Sequence, residues 1–358
     1  MRLSSVEVIP YSLPFKRPYV TARGVLERRE MVLLRIRDAD GVVGLGEAVP
    51  LTLRGGTTLE QVVRELEERA EDQTLEIEGL SAPARCAVAV ARMDLLGRRV
   101  ADQGPGNDEA VLCNATLVAG EPEAVAADAE AWAADGFGTF KLKLGGESAR
   151  DRAIGGLTRT RESPDVEMVR AVREALGTEV RIRVDANQAW DLESAKATLT
   201  ALEPFGIELA EQPVGTLAEM AELAEATSIP LAADESVASL EEAEEAAALG
   251  ACSYTGIKLS KVGGPEEALR IADVLPAYIT SALDGPVGIA AAAQTALSLA
   301  ETGRPERLHL AHGLATQRLF AETIAAVECE LRNGMLHLPP GPGLGVEIDE
   351  DALQAHRL

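Results

Sequence analysis

The chain has 358 residues, 46% of them hydrophobic and 26% charged, enough to bury a large core and more than one small domain needs. Its net charge of −24 argues against nucleic acid or an anionic membrane as partner, because phosphate binding needs a basic surface. The four cysteines, Cys86, Cys113, Cys252 and Cys329, are scattered with no C-x-x-C pair, which speaks against a zinc site or a disulfide framework and fits a reducing compartment.

The first residues, MRLSSVEVIP, lack the apolar stretch of a signal peptide. The longest apolar run, Ile289–Ala300, is broken by Gln294, Thr295 and Ser298 and is too short and polar to span a bilayer. A cytoplasmic protein is expected. Whether copies associate into a homo-oligomer is left open by the sequence.

In chain order, Ser5–Leu13 and Met31–Asp38 read as strands, and a turn at Asp40-Gly41 leads into another. Helical periodicity follows over Leu59–Glu71 and Pro83–Arg99. Strands followed by helices predict an α+β domain over residues 1–110. From about Leu112 short apolar strands alternate with helices. The strands are Cys113–Val118, Thr139–Leu144, Val180–Val184, Ile207–Ala210, Pro230–Ala233, Tyr254–Leu259, Ala277–Ala282 and Leu308–Ala311. Ser239, with Glu242 three residues on, predicts a capping box, and Gly177 and Gly250 mark helix ends. Eight such strands over residues 111–322, with no G-x-G-x-x-G after the first, predict an α/β fold of the (β/α)8-barrel type rather than a doubly wound sheet. Gly145–Ser163 reads as a long polar loop after the second strand. The Pro/Gly-rich tail, residues 323–358, is expected to return to the first domain.

Charged residues stand at the C-terminal ends of five consecutive predicted strands, the catalytic face of such a barrel. They are Lys141 and Lys143, then Asp185, then Glu211, then Asp234, then Lys258. The separations of 26, 23 and 24 residues from Asp185 through Glu211 and Asp234 to Lys258 amount to one β/α unit each. Adjacent strands would therefore present three carboxylates side by side, which repel one another unless a cation sits among them. All-oxygen ligation suits Mg²⁺. Lys141 and Lys143, two apart on a strand, point to one face, and Lys258 lies across the barrel mouth. A metal between lysines is the arrangement that removes a proton next to a carboxylate. Lys141 together with the metal is expected to depress the pKa of Lys143. A barrel used only for binding or structure is the non-enzyme alternative, but it would not need these groups.

The runs TFKLKLG, RVDANQAW, ELAEQPV, LAADES and GIKLSKVGG, with GLGEAVP at residues 44–50, resemble the muconate-lactonising subgroup of the enolase superfamily over essentially the whole chain. The resemblance implies a modified (β/α)7β barrel with an α+β capping domain. It implies Asp185, Glu211 and Asp234 as ligands of Mg²⁺, for which Mn²⁺ can substitute, and Lys143 and Lys258 as the acid/base pair. Lys141, Asn187 and Ser281 are expected to contact a small carboxylate substrate. A mandelate-racemase-like member would carry a histidine base near the end of strand seven, and AYITSALDGPVG holds none. The pairing of S-A-L-D with H-G-L-A-T on strands seven and eight resembles o-succinylbenzoate synthases of menaquinone biosynthesis. Dipeptide epimerases usually carry an Asp-x-Asp on strand eight, absent here. N-acylamino acid racemase and dipeptide epimerase are the alternatives. Among the histidines, His312 is expected to be packed or backbone-bonded rather than to touch substrate. His309 shares its strand, and His337 and His356 are expected at the surface. Arg23 and Arg54, in loops of the first domain, could grip a substrate carboxylate.

Overall fold

A computed structural model describes residues 3–21, 24–52, 56–72, 75–100, 109–145, 163–301 and 310–358. Arg23, Arg54, His309 and nearly all of the predicted 145–163 loop lie outside them.

The chain opens with an antiparallel meander of β1 (Leu3–Thr21), β2 (Gly24–Asp38) and β3 (Val43–Ala48). The first hairpin is longer than predicted because β1 continues through Pro14 and Pro18. An edge strand tolerates proline, since no neighbour on its open side needs the missing N–H. Two helices cover the sheet, α1 (Leu59–Asp72) and α2 (Ala82–Val100). The glycines of Gly44-Leu45-Gly46 let α2 approach. A Cβ at Gly44 would meet the Ala91 carbonyl oxygen at 2.3 Å, and one at Gly46 the Ala87 oxygen at 1.9 Å.

The first barrel strand lies within the predicted Cys113–Val118, and a separate strand precedes it. β4 (Ala110–Leu112) pairs outside the barrel, and β5 (Ala115–Leu117) begins the barrel sheet. There follow α3 (Pro122–Ala134), β6 (Thr139–Lys143), α4 (Pro164–Leu176), β7 (Arg181–Asp185), α5 (Leu192–Leu202), β8 (Ile207–Glu211) and α6 (Leu217–Ala226). The run ends with β9 (Leu231–Ala233), α7 (Leu240–Leu249), β10 (Tyr254–Ile257), the one-turn α8 (Leu259–Val262), α9 (Pro265–Val274), β11 (Ala277–Ile279) and α10 (Pro286–Glu301). Strands β5 to β11 form one parallel sheet in chain order.

The sheet curls shut through His312 and Gly313, which bridge to Cys113 on one side and Thr280 on the other. The His312 N–H donates to Leu112 O at 2.7 Å and the Gly313 N–H to Ile279 O at 2.8 Å. The closing contact thus falls just beyond the predicted Leu308–Ala311. Gly313 lies so close to strand seven that a Cβ there would meet Thr280 Oγ1 at 2.6 Å. Gly177 and Gly250 end α4 and α7 as predicted. The predicted capping box at Ser239 is only half made. Ser239 accepts from the Glu242 N–H, but Glu242 turns to the Ala238 N–H. The complete box is Thr216 with Glu219.

The tail forms β12 (Ala325–Val327), β13 (Glu330–Arg332), β14 (Met335–His337), β15 (Glu347–Ile348) and α11 (Glu350–His356). β14 pairs with β4, and the Leu358 N–H reaches Pro10 O at 3.0 Å, tying the tail to the first sheet. His337 is half-buried. His356 is half-buried at the surface as well, with Nε2 2.7 Å from Glu322.

A buried polar contact joins the meander to the loop after β11. Glu47 accepts from the Gly285 N–H at 2.6 Å and from the Tyr11 hydroxyl at 2.9 Å. Gly285 and Gly288 make the room, since a Cβ on either would collide with Tyr11 or Glu47. Burial, then the nearby Asp284 charge, push the Glu47 carboxyl up to about 8. The protonated form suits its surroundings. Its O–H can donate to Tyr11, whose hydroxyl then turns to Met31 Sδ 3.6 Å away. A carboxyl with a raised folded-state pKa contributes stability that is fully present below its unfolded value and lost as pH rises through about 8. Glu47→Gln keeps both hydrogen bonds without the ionisation. Urea unfolding from pH 5 to 9 should show a shallower alkaline loss of stability in Glu47→Gln than in wild type. Equal slopes would mean Glu47 is already ionised.

Candidate active site

The pairing register sets the predicted charges side by side. Lys143 is the Cα partner of Asp185, and Asp185 of Glu211, while Asp234 and Lys258 immediately follow β9 and β10. Asp185, Glu211 and Asp234 are each at most 1% exposed. Lys141 and Lys143 project from the same side of β6 and both reach Asp185. Lys141 Nζ lies 2.8 Å from Asp185 and 2.5 Å from Glu211, and Lys143 Nζ lies 2.5 Å from Asp185 and 3.0 Å from Asn187 Oδ1. Lys258 Nζ bonds Asp234, and Lys261 Nζ stands 3.0 Å from Asp234 Oδ1.

Lys258 closes β10 rather than lying within a longer strand. The chain turns into α8 at Leu259, which brings Lys261 back beside Asp234 one helical turn later. That second lysine was visible in GIKLSKVGG, but reading residues 254–259 as a strand concealed its role. Gln212 was also passed over. Its Oε1 accepts from the N–H groups of Asp234 at 2.8 Å and Ser236 at 3.1 Å, fixing the turn after β9. Asn187 accepts from Lys143 and donates to Glu235 at 3.1 Å. Asn187, Gln188, Gln212 and Leu283 all have positive φ, and such strained backbone clusters where side chains must be aimed.

Among the protein's own groups, Lys143 does not have the depressed pKa expected of it beside Lys141 and the metal. Burial lowers it, but the Asp185 carboxylate overrides that effect, and Lys143 stands above the ordinary lysine range. Lys141 is raised in the same way by Asp185 and Glu211 against its own burial. Conversely, burial would raise Asp185, yet Lys141 and Lys143 hold it well below the usual carboxylate range. From the protein's own groups alone, Lys141 and Lys143 form charged pairs with Asp185.

The donor chemistry fits a hard divalent cation, being all carboxylate oxygen on three neighbouring strands. Lys141 Nζ, bridging Asp185 and Glu211, already places a positive charge between two of them. With the ammonium groups interposed, no group of three or more Asp, Glu, His or Cys among the described residues is arranged to hold a metal ion.

Above the charges lies a cavity of about 420 Å³. Lys141, Lys143, Lys258, Lys261 and Arg29 line it, against Glu235 as the one acidic lining residue among the described residues, while Tyr19, Leu51 and Leu283 supply apolar surface. This wall reverses the sign of the whole-chain charge. Asn187 and Ser281 also line the cavity. The Ser281 hydroxyl is committed, however. It donates to Asp284 Oδ2 at 2.7 Å and accepts from the Asp284 N–H at 2.9 Å. Arg29 Nη2 grips the same loop through Ala282 O at 3.0 Å. His312 is half-buried, with Nδ1 accepting from the Ile279 N–H at 3.0 Å, and desolvation pulls its pKa down to about 4, so it is the backbone-bonded histidine expected.

A family model described as "Enolase C-terminal domain-like" matches residues 124–352. One for the mandelate racemase / muconate lactonizing enzyme N-terminal domain matches residues 4–102. The o-succinylbenzoate synthase of Thermobifida fusca is 36% identical over 214 residues, 59% of this chain and 61% of that protein. A muconate lactonizing enzyme from Pseudomonas fluorescens, complexed with muconolactone, superposes with a TM-score of 0.86 at 28% identity, covering 100% of this chain and 99% of that one. A dipeptide epimerase from Cytophaga hutchinsonii, complexed with Mg and the dipeptide D-Ala-L-Val, superposes with a TM-score of 0.83 at 26% identity, covering 99% and 98%. No helix among the described residues is long and apolar enough to cross a membrane.

Ser281→Ala separates a scaffolding hydroxyl from a purely substrate-binding one. Removing a donor from buried Asp284 should lower the unfolding free energy of the unliganded protein by about 1–3 kcal/mol. An unchanged melting curve would return Ser281 to substrate contact alone.

Proposed function

We propose that this chain, which belongs to the enolase superfamily and within it to the muconate-lactonising subgroup, abstracts the proton α to the carboxylate of a small anionic substrate, with Lys143 and Lys258 as its acid/base pair. The cationic wall of the cavity carries the reading. It attracts a carboxylate that the net charge of −24 would otherwise repel. Asp185, Glu211 and Asp234 would hold Mg²⁺, or Mn²⁺ in its place. When bound, the metal supplies the charge that stabilises an enolate as it forms.

Lys143 and Lys258 both line the cavity, on strands four apart in the sheet. Lys143 must shed its proton to act as base. Burial already favours the neutral amine, and the Asp185 charge is what opposes it. Neutralising Asp185 therefore releases Lys143 for proton transfer, while Asn187 Oδ1, 3.0 Å away, still aims the amine. Lys141, deeper and bonded to two carboxylates, holds charge rather than moving it.

Within this chemistry the reading supported best is o-succinylbenzoate synthase, the dehydration of a 6-hydroxy-cyclohexadiene carboxylate in menaquinone biosynthesis. Among the described residues, no carboxylate from strands seven and eight faces the cavity to hold a substrate amine. Asp284 turns away to Ser281 and the Ala282 N–H, and Leu310–Gly313 contains no acid. In this reaction Lys143 removes the α-proton and then protonates the departing hydroxyl. Lys258, on the other face, stabilises the enolate as a cation, in part through the ring π system. The second reading is an N-acylamino acid racemase or dipeptide epimerase, favoured by the presence of a lysine on each side of the cavity, which two-base exchange requires.

Lys143→Ala and Lys258→Ala should each leave the circular dichroism spectrum unchanged and reduce turnover at least about 10²–10⁴-fold. A variant that keeps near wild-type rate would remove that lysine from the reaction. Assays in D₂O with added Mg²⁺ distinguish the two substrate readings. Efficient o-succinylbenzoate formation, with slow α-proton exchange on either enantiomer of an N-acylamino acid, supports the synthase. Fast exchange of both enantiomers without dehydration establishes the racemase instead.

A further inference from the structure

We infer that Tyr278 is a positioning residue for the metal centre: its phenol, anchored in the barrel core, holds Glu211 so that one carboxylate oxygen faces the cation site. This inference rests on the metal reading proposed above. It concerns a residue outside the ligand set and outside the cavity wall.

Tyr278 lies in the middle of β11 with no exposed surface, in a small interior cluster with Leu209, Ala232 and Leu310. An aliphatic side chain would pack there without bringing a polar atom into the core. The tyrosine does bring one, and its hydroxyl donates to Glu211 Oε2. The other Glu211 oxygen, Oε1, faces Lys141 at 2.5 Å, the position where the protein already sets a cation against this carboxylate. The two oxygens are thus assigned different duties, one inward to the phenol and one outward to positive charge.

Two further features hold the ring. Beneath it the Arg183 guanidinium, itself fully buried, lies 5.0 Å from the ring centroid. Arg183 is fixed in turn by Glu208 and by the Ala311 carbonyl at 2.7 Å. On the neighbouring strand the Cα partner of Tyr278 is Gly256, where a Cβ would stand 3.2 Å from the hydroxyl oxygen. A glycine in the interior of a strand weakens it, and here its absent side chain is what admits the phenol. The strand-six glycine, the strand-seven tyrosine and the strand-three arginine together make a support for one carboxylate on strand four.

Groups that orient metal ligands typically change affinity by about 10–100-fold when removed, while leaving the fold intact. The test titrates Mn²⁺ into wild type, Tyr278→Phe and Gly256→Ala by calorimetry, with thermal melts alongside. Tyr278→Phe keeps the ring over Arg183 and loses only the donor. It should raise the Mn²⁺ Kd about tenfold or more, with a melting temperature close to wild type. Gly256→Ala keeps the donor but crowds it, and should raise the Kd in the same direction. If wild type binds Mn²⁺ and the folded Tyr278→Phe binds it equally well, the role of Tyr278 is overturned and the metal site stands. If Tyr278→Phe fails to fold, an unchanged Kd in Gly256→Ala overturns it. If wild type takes up no Mn²⁺ at all, the metal site falls and this inference with it.

Discussion

Asp185, Glu211 and Asp234 carry like charges on neighbouring strands in almost complete exclusion from water, and such a set is stable only with positive charge among its members. Lys141, Lys143, Lys258 and Lys261 supply it in this structure. Much else in the barrel serves that balance. Gln212 locks the backbone that carries Asp234, Asn187 adopts a positive φ to meet both Lys143 and Glu235, and Arg183 and Tyr278 fill the core below. The ammonium groups hold the cation positions from the protein side. The Asp185 carboxylate explains why the lysine expected to be a ready base stands, among these groups alone, above the ordinary lysine range.

The meander controls the other wall of the site. Its residues reach the barrel at the loop after β11, through Glu47 on Gly285 and Arg29 on Ala282. That loop presents Thr280, Ser281, Ala282 and Leu283 to the cavity, while Tyr19 and Leu51 line it from the first sheet and the loop after it. A buried, proton-bearing Glu47 and a desolvated Arg29, pulled down to about 10, are costly groups to keep in an interface. Glu47 accepts from the Gly285 N–H and Arg29 donates to Ala282 O, so the contact fixes position as well as burying area.

The alternation of short apolar strands with helices was legible because each barrel strand is buried on both faces and reads as a continuous run. The strand-end charges were legible because one β/α unit recurs about every 25 residues from Asp185 onward. What escaped was set by contacts distant in sequence. Ala110–Leu112 lies ahead of the strand expected at Cys113–Val118, and only pairing with the tail strand Met335–His337 makes it a strand of its own. The barrel closes at His312 and Gly313 because Gly313 can approach Thr280, a fact no periodicity contains. Ser281 looked like a cavity hydroxyl because Asp284, three residues away, gave no sign of turning back to take it. Tyr278 read only as an apolar strand residue, since Glu211 lies 67 positions before it.

The account turns on whether the three buried carboxylates take up a divalent cation in place of their ammonium partners. Titration calorimetry of Mg²⁺ into the wild type and into the triple variant Asp185→Asn, Glu211→Gln, Asp234→Asn tests this most directly. The account predicts a saturable binding isotherm for the wild type and none for the folded triple variant. An isotherm that survives the three substitutions unchanged would place the cation elsewhere and contradict it.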